Sequence, residues 1–132
     1  LTAPAPRSNL GDAIMIAWNG SAESARAVGA AMPFLEAAGS VTVVTGNEGE
    51  LPGPGGDDLI KYLAWHGVSA HLRVVEVNNR PVGEVLLEAA TDIRADMLVM
   101  GAYSHSRLRE YVFGGATRHI LDEGNLPVFM AH

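Results

Sequence analysis

The stretch Asp96–Glu123, DMLVMGAYSHSRLREYVFGGATRHILDE, decides how this chain is read. It opens on four apolar residues, Met97 to Met100, which suit a buried strand, and it breaks at Gly101. A polar loop with basic residues follows from Ala102 to Arg109. Gly114-Gly115 then lead into a helix expected over Ala116–Leu121. Strand, glycine, basic loop, glycine pair and helix start, in that order, make an anion site. The first N–H groups of a helix have no intrahelical partner, and the helix dipole adds about half a positive charge there. Glycine lets the backbone come close to a phosphate and take positive φ. The reading is a cradle for the phosphates of a nucleotide. The plain alternative is that Gly101 only ends a strand and the glycine pair only starts a helix. His105, Arg107, Arg109, Arg118 and His119 crowd this segment and favour the cradle.

Working outward, the same alternation recurs. Ala13 to Trp18 is a continuous apolar run, as in a strand buried on both faces of a parallel sheet. Asn19-Gly20-Ser21 makes a tight turn, with Ser21 placed to cap a helix over Ala22–Ala38. Ala25, Val28, Ala31, Met32 and Leu35 recur there at helical spacing, and Gly39 lies just past the end. Pro33 inside this helix predicts a kink or early bend. Val41–Thr45 reads as the second strand, and the Gly- and Pro-rich stretch Gly46–Gly56 as a surface loop. Asp57-Asp58 open a helix that runs to His66 and stops at Gly67. A third strand is expected over Ala70–Val77. Asn78 to Pro81 turn the chain into a helix over Val82–Ile93, with Val85, Leu86, Ala89, Ala90 and Ile93 inward. Gly124 to Pro127 lead to a last strand, Val128–Ala131.

Strands that alternate with helices in this way give an open parallel sheet of the α/β class, with helices on both faces and right-handed crossovers. Ligands of such sheets sit beyond the carboxyl ends of the strands. Gly20, Gly46 and Gly101 all follow strands, so they share that edge. A length of 132 residues suits a single domain, expected over residues 12–132. Residues 1–11, with alternating Ala and Pro, read as an extended linker. The chain opens on Leu1 rather than Met, so it is read as a fragment or the second half of a tandem protein.

Composition narrows the function. Net charge is −6, which disfavours a nucleic-acid backbone as partner. With no cysteine there is neither a disulfide nor a Cys-based zinc site. No apolar run reaches the ~18 residues of a membrane span and no signal peptide stands out, so the cytoplasm is the expected compartment. His66, His71, His105, His119 and His132 show no ligand spacing, so no metal held by protein side chains is expected. Neither a nucleophile elbow nor a P-loop lysine is present, so no catalytic residue is named and at most weak ATP hydrolysis is expected. Glu84, Glu88, Asp92 and Arg94 read as a solvated helix face, and Trp18 and Trp65 as core or interface.

The segment around Gly101, Ser104 and Gly114 resembles the universal stress protein family, whose nucleotide-binding members carry G-x2-G-x9-G followed by Ser or Thr. The similarity runs from Ala13 to Ala131 and includes Ala17-Trp18-Asn19-Gly20-Ser21 and Met100-Gly101. The resemblance implies an adenine nucleotide alpha hydrolase-like sheet of five parallel strands in order 3-2-1-4-5. It implies a regulatory switch of the stress response that binds ATP or a related nucleotide, with magnesium carried by the nucleotide. Phosphates would meet Gly101, Ser104, Arg107, Gly114, Gly115, Ala116 and Thr117; ribose and adenine would meet Ala17, Asn19 and Val44. It also implies a homodimer or tandem pair through the last strand, Val128 to Ala131, which is short, apolar and unsuited to bare solvent at a sheet edge.

Three positions depart from the family pattern. The second motif glycine is Ser104, the hydroxyl residue after the last glycine is Gly115, and the acidic residue after strand one is Asn19. Positive φ at Ser104 costs about 1–2 kcal/mol. The missing hydroxyl at Gly115 costs about 1.5–3 kcal/mol. Together they weaken a micromolar site toward millimolar, a loss of roughly 2.5–5 kcal/mol. Thr117 and the charges of Arg107 or Arg118 offset part of this. The competing expectation is a dimerisation or interaction domain of the same fold with a degraded cradle.

Overall fold

The computed structural model describes residues 11–46, 53–101 and 126–131. Strand β1 (Ala13–Ala17) is followed by helix α1 (Ala22–Ala37), β2 (Ser40–Gly46), α2 (Gly56–Trp65), β3 (Ala70–Val75), α3 (Val82–Asp92), β4 (Met97–Gly101) and β5 (Val128–Ala131). The expected helix over Ala116–Leu121 lies outside the described residues. All five strands are parallel, in the order β3-β2-β1-β4-β5. The expected sheet is therefore the one observed.

Strand parity divides the core in two. On one face Ile14, Ile16, Val41, Val43, Met97 and Val99 pack against Val28, Ala31 and Leu35 of α1 and Leu59 and Leu63 of α2. On the other, Met15, Val44, Leu98 and Met100 pack against Leu86, Ala89 and Ala90 of α3. The central strands are apolar throughout because both of their faces are covered. Every residue of β4 is buried.

Local chemistry sets the boundaries. Ser21 caps α1, its Oγ accepting from the Ser24 N–H at 3.1 Å. The expected bend at Pro33 does not end α1, which continues to Ala37. Pro33 and Gly29, four residues earlier, both lie on the exposed side, so the carbonyl that loses its donor faces water. Strand β3 stops at Val75, two residues short of expectation, because Asn78 and Asn79 take φ of 49° and 65° and turn the chain. Trp65 is not core: it is 88% exposed at the end of α2, whereas Trp18 is 6% exposed.

The expected solvated face of α3 is exposed but organised. Arg80 reaches Glu84 at 2.8 Å and Glu88 at 2.7 Å, and Arg73 on β3 reaches Asp92 at 2.8 Å. Asp96 holds the start of β1, accepting from the N–H groups of Gly11, Asp12 and Ala13 at 3.0–3.1 Å.

Candidate functional site

A cleft of about 210 Å³ opens at the carboxyl ends of β1, β2, β3 and β4. Ala17, Asn19, Val44 and Gly101 line it together, four residues that lie 25 or more positions apart in sequence in all but one case. Sequence reasoning missed much of the remaining wall. Val75 ends β3 and Val77 lies just beyond it, Val82, Val85 and Leu86 come from the first turns of α3, and Met100 from β4. The apolar start of α3 was visible, but the pattern alone did not say that these side chains face the sheet edge as well as the core. Ser104, Arg107, Gly114, Gly115, Ala116 and Thr117 lie outside the described residues.

The cleft is apolar among its described side chains, with Asn19 as its polar exception at the rim and Thr45 contributing from the end of β2. Val44 gives a side-chain wall; its carbonyl already accepts the Trp18 N–H at 2.9 Å. Trp18 itself is pinned, its indole Nε1–H donating to the Pro54 carbonyl at 2.9 Å. Gly20 takes φ of 76°, which turns the chain sharply after β1. Gly53 approaches the Gly20 carbonyl so closely that a side chain there would collide with it. The loops after β1 and β2 are thus laced together at the cleft's rim.

Gly101 has a packing role. A Cβ on it would sit 2.5 Å from the Ser24 nitrogen and 2.6 Å from the Glu23 carbonyl carbon, in the first turn of α1. The first turn of α1 therefore lies directly against the end of β4. Asn19 is likewise employed locally. Its Oδ1 accepts from the Ser21 N–H at 3.0 Å and from the buried Ser24 hydroxyl, which fixes the turn into α1.

A second hollow of about 330 Å³ lies between α1 and α2, lined by Val28, Leu59, Tyr62 and the opposite side of Trp18. Gly101 does not line it, and neither does any strand residue, whereas α/β sheets gather ligands at their strand ends. No group of three His, Asp or Glu is placed to hold a metal among the described residues.

The model of the universal stress protein family matches residues 62–132, more than half of the chain. The chain belongs to the universal stress protein family. Among curated proteins, no sequence matches it. Solved structures of the same fold do. A universal stress protein from Archaeoglobus fulgidus is 22% identical with a TM-score of 0.57, over 90% of this chain and 97% of its own. A universal stress protein solved in complex with cAMP is 23% identical with a TM-score of 0.64, over 92% of this chain and 96% of its own. A further Archaeoglobus fulgidus universal stress protein, from strain DSM 4304, is 18% identical with a TM-score of 0.69; 92% of this chain aligns with 44% of that longer one. Among the described residues of this universal stress protein, no helix is long and apolar enough to cross a membrane.

Proposed function

We propose that this universal stress protein binds ATP or a related nucleotide and works as a regulatory switch of the stress response. The observation that carries the reading is the apolar cleft at the strand ends, lined by Gly101, after which the sequence Ala102–Thr117 is rich in glycine and arginine. Val44, Val75 and Leu86 offer apolar walls to a purine, whose faces are planar and poorly hydrated. The sugar would lie toward Ala17 and Asn19. The phosphates would extend toward Gly101, Ser104, Arg107, Gly114, Gly115, Ala116 and Thr117, with magnesium brought by the nucleotide. A protein of the same fold solved with cAMP supports a nucleotide-sized ligand. Two copies, or two halves of a tandem protein, would pair along β5, whose four residues are only partly buried.

A second reading has observations of its own. Gly101 is required by its contact with α1, and the Asn19 carbonyl by the turn, with no ligand present. A domain that acts through its β5 surface alone would keep both. Isothermal titration with ATP and magnesium at near-physiological salt separates the two, with sedimentation velocity on the same sample reporting the pairing. A dissociation constant of about tens of micromolar or tighter is the expected result. Absence of heat up to millimolar ATP, with a dimer still present, selects the interaction domain.

A further inference from the structure

The hollow between α1 and α2 has a chemistry of its own. Trp18, Val28 and Leu59 form its floor and are buried; Ala25, Asp58 and Tyr62 stand at its rim and are exposed. Its volume of about 330 Å³ falls within the ~300–1,000 Å³ of small-molecule sites. Asp58 and Tyr62 are four residues apart on α2, so their side chains are neighbours on one face of the helix. The Asp58 Oδ2 accepts from the Gly55 N–H at 3.2 Å, which holds the carboxylate at the rim.

The polar groups already in use decide what this hollow can hold. The indole N–H of Trp18 is given to the Pro54 carbonyl at 2.9 Å, so the indole keeps no donor for an anion. Among the described residues, Asp58 is the one charged residue that lines the hollow. The start of α2 carries about half a positive charge, but Asp57 and Asp58 set two carboxylates against it in the first turn, so the local field is negative. Aromatic rings add to this preference, because their faces attract cations. Two aromatic rings and a carboxylate around an apolar floor therefore repel an anion and favour a cation with an apolar body.

We infer that the hollow between α1 and α2 is a second binding site, one for a small organic cation whose ammonium group carries alkyl substituents. The charge lies at the rim by Asp58 and Tyr62, and the alkyl groups rest on Trp18, Val28 and Leu59. This inference does not depend on the nucleotide reading. Trp18 lines the hollow and so reports on its occupancy. The other tryptophan, Trp65, is 88% exposed and does not line it, so Trp65→Phe leaves Trp18 as the single fluorophore of its kind.

The experiment follows Trp18 emission in Trp65→Phe at matched ionic strength, titrating choline and dimethylbutanol, its neutral isostere in which a tert-butyl group replaces the trimethylammonium. Choline is expected to bind about tenfold tighter than the isostere. Asp58→Asn removes the charge but keeps an acceptor for the Gly55 N–H, and should reduce that preference by about threefold or more. Ala25→Leu, at the rim and away from the cleft, fills the hollow and should weaken both compounds; thermal melts check that each variant is folded. Equal affinity for choline and its isostere overturns the inference, as does an unchanged emission up to about tens of millimolar choline. A preference that is unaltered in folded Asp58→Asn, or binding that is unaltered in folded Ala25→Leu, overturns it too.

Discussion

Gly101 shows how one missing side chain serves the packing of the whole edge. The first turn of α1 lies against the end of β4, and the approach leaves no room for a methyl group. The obstructing atoms are backbone, which cannot swing aside as a side chain would. Gly101→Ala should therefore destabilise the fold by about 1–3 kcal/mol, read as a lower denaturation midpoint at unchanged slope. An unchanged midpoint would show that the two segments separate freely. At Asn19, by contrast, the sequence offered two roles, cap or ligand contact, and the structure shows the first. Oδ1 serves the turn.

At the scale of elements, the turn into α3 is clamped by charge. Arg80 precedes the helix and reaches forward to Glu84 and Glu88 on its exposed face. The hydrogen bonds Arg80 donates to Glu88 and then to Glu84 raise its pKa above the ordinary value. In return, the hydrogen bond from Arg80, followed by its positive charge, holds the Glu88 carboxyl below its usual range. A carboxyl depressed in the folded state adds stability above its unfolded pKa and loses it as pH falls through the folded one. The clamp should accordingly persist through the ordinary carboxylate range and release only below it. NMR titration of Glu88 should show an upward return in Arg80→Gln; an identical titration in both proteins would mean that the clamp does not hold in solution. The exposed setting keeps any contribution to stability small.

For the whole molecule, closure depends on a contact between distant parts of the chain. The Asp96 carboxylate gathers three N–H groups from the start of β1, 83 to 85 residues away in sequence. β1 is the central strand, so this contact fixes where the sheet begins. Asp96→Ala should cost about 2–3 kcal/mol, because a partly buried set of donors loses a charged acceptor. Chemical denaturation checks this, and a loss under about 0.5 kcal/mol would mean that water replaces the carboxylate without penalty. The sequence shows Asp96 directly before the apolar run Met97–Met100. It could not show what Asp96 binds, since none of its partners is near in sequence.

The sequence by itself determined the alternation of strands and helices, the apolar character of the central strands and the glycines that follow them. These features depend on side-chain periodicity and on backbone freedom, both of which are local. The family pattern also grouped Ala17, Asn19, Val44 and Gly101, and these four line one cleft. Tertiary structure alone decided that β3 and the first turns of α3 complete the cleft wall, that Gly101 is needed by α1, that Trp18 is buried while Trp65 is exposed, and which atom of Asn19 holds the turn. Each of these depends on which segments meet across the sheet. The two tryptophans acquire different roles because packing gives them different neighbours.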